Sequence, residues 1–228
     1  MTEGKRILET GADPGAEART DSRRQISEMR ARLVQAYYSF LQRYLKYLLN
    51  SGISANFITV SALLFSIIAA YCLSLGKFFA GAAFLIVAGF LDTMDGSFAR
   101  LKGQTSLYGA LLDSTLDRYS EFCVFFGLLI YFRNDWIFFF LMLALLGSVM
   151  VSYIKARAQS LGNWTNVGLM QRPERLGVIV FACLLNPLSP VIAENSPDLI
   201  FKSFMVLLAV LTNLTAMGRL RQGKKDLA

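Results

Sequence analysis

Long apolar runs separated by short polar segments dominate the chain from residue 57 onwards. Each run is close to the ~20 residues that a helix needs to cross the hydrocarbon core of a bilayer. The pattern therefore predicts an all-α, polytopic membrane protein with six transmembrane helices. In chain order these are Phe57–Leu75, Phe78 to about Arg100, Ser106 to about Phe132, Trp136–Ile154, Arg175–Val191 and Leu199–Met217.

The first 50 residues follow different patterns. Residues 1–21 contain Gly, Pro and mixed charge and are predicted to be disordered. From 22 to 50, leucine and aromatic residues recur at helical spacing among basic ones, which predicts an amphipathic juxtamembrane helix lying in the membrane interface. An ordinary soluble amphipathic helix is the alternative. We therefore divide the chain into a disordered N-terminus (1–21), this helix (22–50), a six-helix membrane domain (51–222) and a cytoplasmic tail (223–228).

Composition and charge narrow the possible functions. The chain is 54% hydrophobic with a mean hydropathy of +0.45, and its net charge of +7 is concentrated near the predicted helix ends. This distribution indicates anionic headgroups rather than nucleic acid as the partner. Lys and Arg favour one set of connections, which predicts a cell-membrane protein with both termini and the turn after residue 101 in the cytoplasm. The absence of histidine excludes imidazole catalysis.

Four aspartates lie on the second and third apolar runs. Asp92 and Asp95 are spaced i, i+3, and Asp113 and Asp117 are spaced i, i+4, so each pair occupies one helix face. A turn at Lys102-Gly103-Gln104 would bring all four carboxylates together in an antiparallel hairpin. Because clustered carboxylates in a low-dielectric site need cations, we expect Mg²⁺ or Mn²⁺ here. Intramembrane acids also mark ion pathways, so a cation transporter is the alternative from a different class.

The same stretch resembles a family signature. The pattern Asp92-x-x-Asp95-Gly96-x-x-Ala99-Arg100, continued by Gly109-x-x-x-Asp113-x-x-x-Asp117, matches the motif of the CDP-alcohol phosphotransferases at every fixed position. The resemblance implies an enzyme that uses two divalent cations to transfer a phosphatidyl-type group from a CDP-lipid, releasing CMP. It assigns metal binding to Asp92, Asp95, Asp113 and Asp117, the catalytic base to Asp117, and contact with the CDP portion to Gly96, Ala99 and Arg100.

Further strings are similar to the phosphatidylinositol phosphate synthases of that family: SYIKARA at 152–158, RPERL at 172–176 and a late arginine. The similarity implies that Lys155, Arg175 and Arg219 bind the phosphate of inositol 1-phosphate, although generic cytoplasmic cations would give the same pattern. It further implies a CDP-diacylglycerol donor, a homodimer and an active site open to the cytoplasm. A phosphatidylglycerophosphate or archaetidylinositol phosphate synthase is the alternative within this chemistry. Residues expected to touch the CDP-lipid also include Asn56, Phe57, Ile58, Thr59 and Ser106.

Overall fold

The computed structural model describes residues 53–162, 170–194 and 196–227. The predicted disordered segment and juxtamembrane helix lie outside the described residues. Within those ranges all regular structure is helical, which confirms the all-α prediction. The helices are α1 (Ala55–Ser74), α2 (Phe78–Leu101), α3 (Leu107–Tyr131), α4 (Ile137–Ser160), α5 (Arg172–Leu185), a 3₁₀ turn (Asn186–Leu188), α6 (Ser189–Ile192) and α7 (Leu199–Leu227).

Five stretches of the described chain are long and apolar enough to cross a membrane: α1, α2, α4, the run Arg172–Ile192 and α7. Helix α3 has a matching length of 25 residues, but it carries Asp113, Asp117, Arg118 and Glu121. The prediction of a polytopic membrane protein is confirmed, whereas the count of six spans stays a prediction.

Several helices extend beyond the apolar runs that predicted them. Helix α4 continues to Ser160, α5 begins at Arg172 and α7 continues to Leu227. Hydropathy marks where the hydrocarbon region ends, but backbone hydrogen bonding can continue into the polar interface. The extra turns matter because they carry cationic side chains of the site described below.

Small residues allow the helices to pack closely. A Cβ atom added at Gly127 on α3 would lie 2.2 Å from the carbonyl oxygen of Ala70 on α1. Helix α4 approaches α7 in a similar way, because a Cβ atom at Gly147 would lie 2.4 Å from the hydroxyl oxygen of Thr212. Close backbone approach of this kind is typical of helix contacts in membranes.

One end of the bundle is organised by caps and by the turn between α2 and α3. Gly103 adopts a φ of 65°, which favours glycine and reverses the chain. The Nζ atom of Lys102 donates a 2.7 Å hydrogen bond to the carbonyl oxygen of Ile53. Ser106 caps α3 by accepting a 2.9 Å hydrogen bond from the backbone N–H of Gly109. The start of α1, the end of α2 and the start of α3 therefore meet at this end.

Polar contacts also tie the helices at the opposite end. Lys202 on α7 donates to Asp135, in the α3–α4 connection, at 2.5 Å. Partial burial raises the pKa of Asp135, but hydrogen bonds from Lys202 and from the backbone N–H of Ile137 outweigh it, so the net effect lowers that pKa. Asp198, with φ 63°, accepts hydrogen bonds from Asn186 and Tyr131. These contacts hold the ends of α3, α5 and α7 together.

Candidate active site

The α2–α3 hairpin brings three of the four aspartates into one cluster. Asp92, Asp95 and Asp113 each offer a carboxylate oxygen, and these oxygens lie within 4.8 Å of one another. Asp95 is buried, with 5% of its surface exposed, and its Oδ2 atom has no hydrogen-bond partner among the described residues. A buried carboxylate oxygen without a donor is costly unless a cation satisfies it.

The chemistry of this cluster fits a hard divalent cation. Mg²⁺ and Mn²⁺ prefer oxygen ligands, and three converging carboxylates supply them. The orphaned oxygen of Asp95 adds an independent reason to place an ion there, since no protein donor of the described chain competes for it. We assign these three residues as the candidate metal centre.

Asp117 lies one helical turn beyond Asp113 and is linked to the cluster by an arginine. The Nη1 atom of Arg172 lies 2.7 Å from Asp117 Oδ1 and 2.6 Å from Asp92 Oδ2. Arg172 reaches this position from the start of α5. In this arrangement Asp117 stands beside the three-carboxylate group rather than within it, so its role as a fourth metal ligand stays a prediction.

A cavity of about 260 Å³ adjoins the cluster on the side of α1 and the α2–α3 turn. Asp95 and Asp113 form part of its wall, which places the candidate metal centre at its edge. Six of the residues predicted to touch the CDP-lipid line this cavity: Asn56, Thr59, Gly96, Ala99, Arg100 and Ser106.

The other two predicted lipid-contact residues are placed elsewhere. Phe57 is 61% exposed and Ile58 is buried in the helix packing, and neither lines the cavity. The reason is helical phase: Asn56 and Thr59 are three residues apart and share a face, while the two residues between them point in other directions.

A second cavity, of about 620 Å³, lies on the side of α4, α5 and α7. Asp117 borders it, together with all three residues predicted to bind an acceptor phosphate: Lys155, Arg175 and Arg219. Arg118 and Arg172 add two further cations to its wall. We name this space the acceptor cavity and the first one the donor cavity.

The cations of the acceptor cavity are held to different degrees. Arg175 is almost fully buried and is bound by Glu121 on α3 and by the carbonyl oxygen of Met170. Arg219 is 8% exposed and donates a 2.6 Å hydrogen bond to the carbonyl oxygen of Val151. Lys155 is half-buried. Of the three residues predicted to bind the phosphate, two are therefore fixed guanidinium groups and one is a more adaptable ammonium group.

Three charged residues that the sequence interpretation left without a role belong to this site: Arg118, Glu121 and Arg172. Glu121 follows Asp117 by four residues and so continues the spacing of Asp113 and Asp117 along α3. That regular spacing was a usable signal for Glu121. Arg172 begins the string RPERL, but nothing in the sequence indicates its acidic partners, because its pairing depends on how α5 docks against α2 and α3.

Comparison with known proteins adds to this geometry. Residues 52–215 match the family model described as CDP-alcohol phosphatidyltransferase. The chain belongs to the CDP-alcohol phosphatidyltransferase family. It is therefore a transferase of phospholipid biosynthesis, and the resemblance found in the aspartate motif is confirmed.

This phosphatidyltransferase is similar to an archaetidylinositol phosphate synthase of Pyrococcus horikoshii, with 34% identity over 188 residues. That match covers 82% of this chain and 92% of the relative. Its fold resembles crystal structures of the phosphatidylinositol phosphate synthase of Mycobacterium tuberculosis, at 30% identity and a TM-score of 0.71. One of them has CDP-DAG bound, with 80% of this chain and 92% of that chain covered. Another is in complex with manganese and citrate, with 80% and 88% covered.

Proposed function

We propose that this phosphatidyltransferase transfers a phosphatidyl-type group from CDP-diacylglycerol, or a closely related CDP-lipid, to inositol 1-phosphate. The products are a phosphatidylinositol phosphate and CMP. The observation that carries the proposal is the placement of one cavity on each side of the aspartates. Asp113 borders the donor cavity and Asp117, one turn later, borders the acceptor cavity.

Several findings support the choice of substrates. The tuberculosis structure with CDP-DAG supports the donor, and the donor cavity contains six residues expected to contact it. Five cationic residues line the acceptor cavity, which favours an acceptor that carries phosphate over a neutral alcohol. The names of the similar synthases support inositol as the alcohol.

The residues divide the chemistry between them. Asp92, Asp95 and Asp113 would hold a divalent cation, which would supply charge neutralisation at the donor pyrophosphate. Asp117 accepts the proton of the attacking hydroxyl as the new oxygen–phosphorus bond forms and the bond to CMP breaks. Arg172, 2.7 Å from Asp117, orients that carboxylate.

The acceptor is positioned by the cations on the far side of Asp117. Lys155 and Arg219 approach the acceptor cavity from α4 and α7, and Arg175 from α5. Because three helices contribute, the phosphate would be held from several directions while the hydroxyl faces Asp117. Such fixed orientation supplies much of the catalysis in group transfer.

For the membrane arrangement we propose six spans, a homodimer and a cytoplasmic active site. Helix α3 would form the sixth span, because Asp113, Asp117 and Arg118 face the two cavities and Glu121 is paired with Arg175, so that none of them needs to face lipid. Cations at the active-site end outnumber those at the other end, which supports the cytoplasmic orientation. The first group includes Arg100, Lys102, Lys155, Arg157, Arg172 and Arg219, and the second consists, among the described residues, of Lys77, Arg133 and Lys202. The homodimer follows from the family resemblance.

An archaetidylinositol phosphate synthase is the second candidate, favoured by the Pyrococcus relative. It uses the same chemistry and differs in the lipid tails of the donor. The test is CMP release by the purified protein with diacyl and ether CDP-lipids, each combined with inositol 1-phosphate, glycerol 3-phosphate and free inositol. We expect inositol 1-phosphate to be the preferred acceptor and free inositol a poor one. Preference for glycerol 3-phosphate would replace the proposal with a phosphatidylglycerophosphate synthase.

A binding experiment separates the transferase from the cation transporter. We expect CMP to raise the melting temperature of the protein only when Mg²⁺ or Mn²⁺ is present, because the nucleotide and the ion share the donor cavity. Stabilisation by the ion with no effect of CMP would instead favour ion transport.

A further inference from the structure

We propose that Glu121 is a positioning residue for the acceptor: it fixes the guanidinium group of Arg175 and thereby sets the distance between the acceptor phosphate and the base Asp117. This inference rests on the acceptor cavity of the proposed function but does not depend on which phosphorylated alcohol occupies it. Glu121 itself lies behind Arg175 and acts through it.

The contacts between the two residues fix the arginine strongly. Arg175 Nε lies 2.7 Å from Glu121 Oε1, and Arg175 Nη2 lies 3.2 Å from Oε2, which is a two-point ion pair. A third hydrogen bond runs from Nη1 to the carbonyl oxygen of Met170 at 2.9 Å, which leaves two of the five N–H groups of a guanidinium for the acceptor phosphate. The side chains are only 2% and 9% exposed. A planar guanidinium bound at three of its nitrogens has a single orientation.

Glu121 also organises a second cation of the same cavity. Its Oε2 atom accepts a 3.1 Å hydrogen bond from Arg118, whose Nη1 atom also contacts the hydroxyl of Ser152 on α4. One carboxylate on α3 therefore connects Arg118 and Arg175, and through them the helices α4 and α5 that surround the acceptor cavity.

Helix α3 fixes the spacing between the metal cluster, the base and Glu121. Asp113, Asp117 and Glu121 are spaced four residues apart along one face, about 6 Å per step at the rise of an α-helix. Asp113 belongs to the metal cluster, Asp117 is the proposed base, and Glu121 holds the arginine expected to meet the phosphate. The spacing from the reacting centre to the acceptor phosphate is thus set within a single rigid element.

The test is a steady-state comparison of wild type, Glu121→Gln and Glu121→Asp in the CMP-release assay, with both substrates varied. Glutamine keeps the shape but loses the two-point ion pair, so we expect the KM for the phosphorylated acceptor to rise by about tenfold or more. The KM for the CDP-lipid and the Mn²⁺-dependent stabilisation by CMP should remain at wild-type values. Aspartate keeps the charge but is one methylene shorter, and we expect an intermediate acceptor KM.

Glu194→Gln is the matched control, since it makes the same change at an exposed residue just after α6, at the opposite end of the bundle. If Glu121→Gln does not fold, Glu121→Asp decides, because it keeps the buried arginines paired. An unchanged acceptor KM in either folded variant would overturn the inference. An equal rise in KM for the acceptor and for the CDP-lipid would overturn it as well. If wild type prefers another phosphorylated alcohol, the proposed function fails while the same KM shift for that alcohol still supports the role of Glu121.

Discussion

Substitution of Gly127 by alanine offers the clearest test of the helix packing. Gly127 lies on α3, and an added Cβ atom would stand 2.2 Å from the carbonyl oxygen, 2.8 Å from the carbonyl carbon and 2.9 Å from the Cα atom of Ala70 on α1. Ordinary contacts of this kind begin at 3.4 Å. All three obstructing atoms are backbone, so no side-chain rotation can make room and the two helices must separate by about 1.2 Å at this point.

The expected cost follows from this separation. Overpacking a well-packed contact costs about 1–3 kcal/mol. For a protein of this size each kcal/mol lowers the melting temperature by about 2–4 °C, so we expect a decrease of roughly 2–12 °C. Because α3 carries Asp113 and Asp117 while α1 carries Asn56 and Thr59, the same displacement should also lower transfer, by up to about a hundredfold for a 1 Å misplacement.

Thermal unfolding in detergent, monitored by intrinsic fluorescence, measures the first effect, and CMP release at a temperature where the variant remains folded measures the second. Gly177→Ala on α5 is the matched control, because nothing lies within 4 Å of its added Cβ atom. The control should melt at or slightly above the wild-type temperature, since alanine favours the helix by up to about 1 kcal/mol. Equal melting temperatures for the two variants would refute the close contact between α1 and α3.

Three further predictions address the site and the opposite end of the bundle. Asp113→Asn should abolish transfer and weaken Mn²⁺-dependent stabilisation by CMP, while leaving membrane insertion intact; full activity at ordinary Mn²⁺ concentrations would contradict the metal assignment. Lys155→Ala should raise the acceptor KM about ten- to a hundredfold, with the CDP-lipid KM unchanged, and an unchanged acceptor KM would remove Lys155 from the phosphate site. Asp135→Asn should lower the melting temperature at pH 7, because the lowered pKa of Asp135 means that its ionised form stabilises the fold. The difference in melting temperature between wild type and variant should shrink as the pH falls below 3.8, the ordinary pKa of an aspartate, and through the lowered pKa of Asp135. A difference that stays constant down to low pH would contradict the ion pair with Lys202.

The helices and the metal cluster were predictable because both depend on local spacing. Apolar runs of membrane length define helices regardless of how those helices pack. The pairs Asp92–Asp95 and Asp113 with Asp117 flank a turn at nearly equal distances, so a hairpin brings their carboxylates to the same level. The structure agrees for Asp92, Asp95 and Asp113.

The pairings of the charged side chains were not predictable in the same way. Whether Asp117 faces the metal cluster or Arg172 is decided by the docking of α5, which contacts α3 through Glu121 and Arg175. Positive residues near a membrane surface are expected for topological reasons alone, so their number does not reveal which ones pair with an acid. The orientation of α1 could have been predicted from the sequence, since Asn56 and Thr59 lie on one helix face and Phe57 lies on another.

The regular spacing of carboxylates along α3 has a consequence for how such a chain can change in length. One residue inserted between Asp113 and Asp117 would rotate everything beyond it by about 100°, which would turn Asp117 away from the acceptor cavity and Glu121 away from Arg175. An insertion in the turn around Gly103 would leave the phase within each helix intact and would be absorbed by the loop. Length variation among descendants of this protein should therefore accumulate in the connections, while the interval from Asp113 to Glu121 admits substitutions but neither insertions nor deletions.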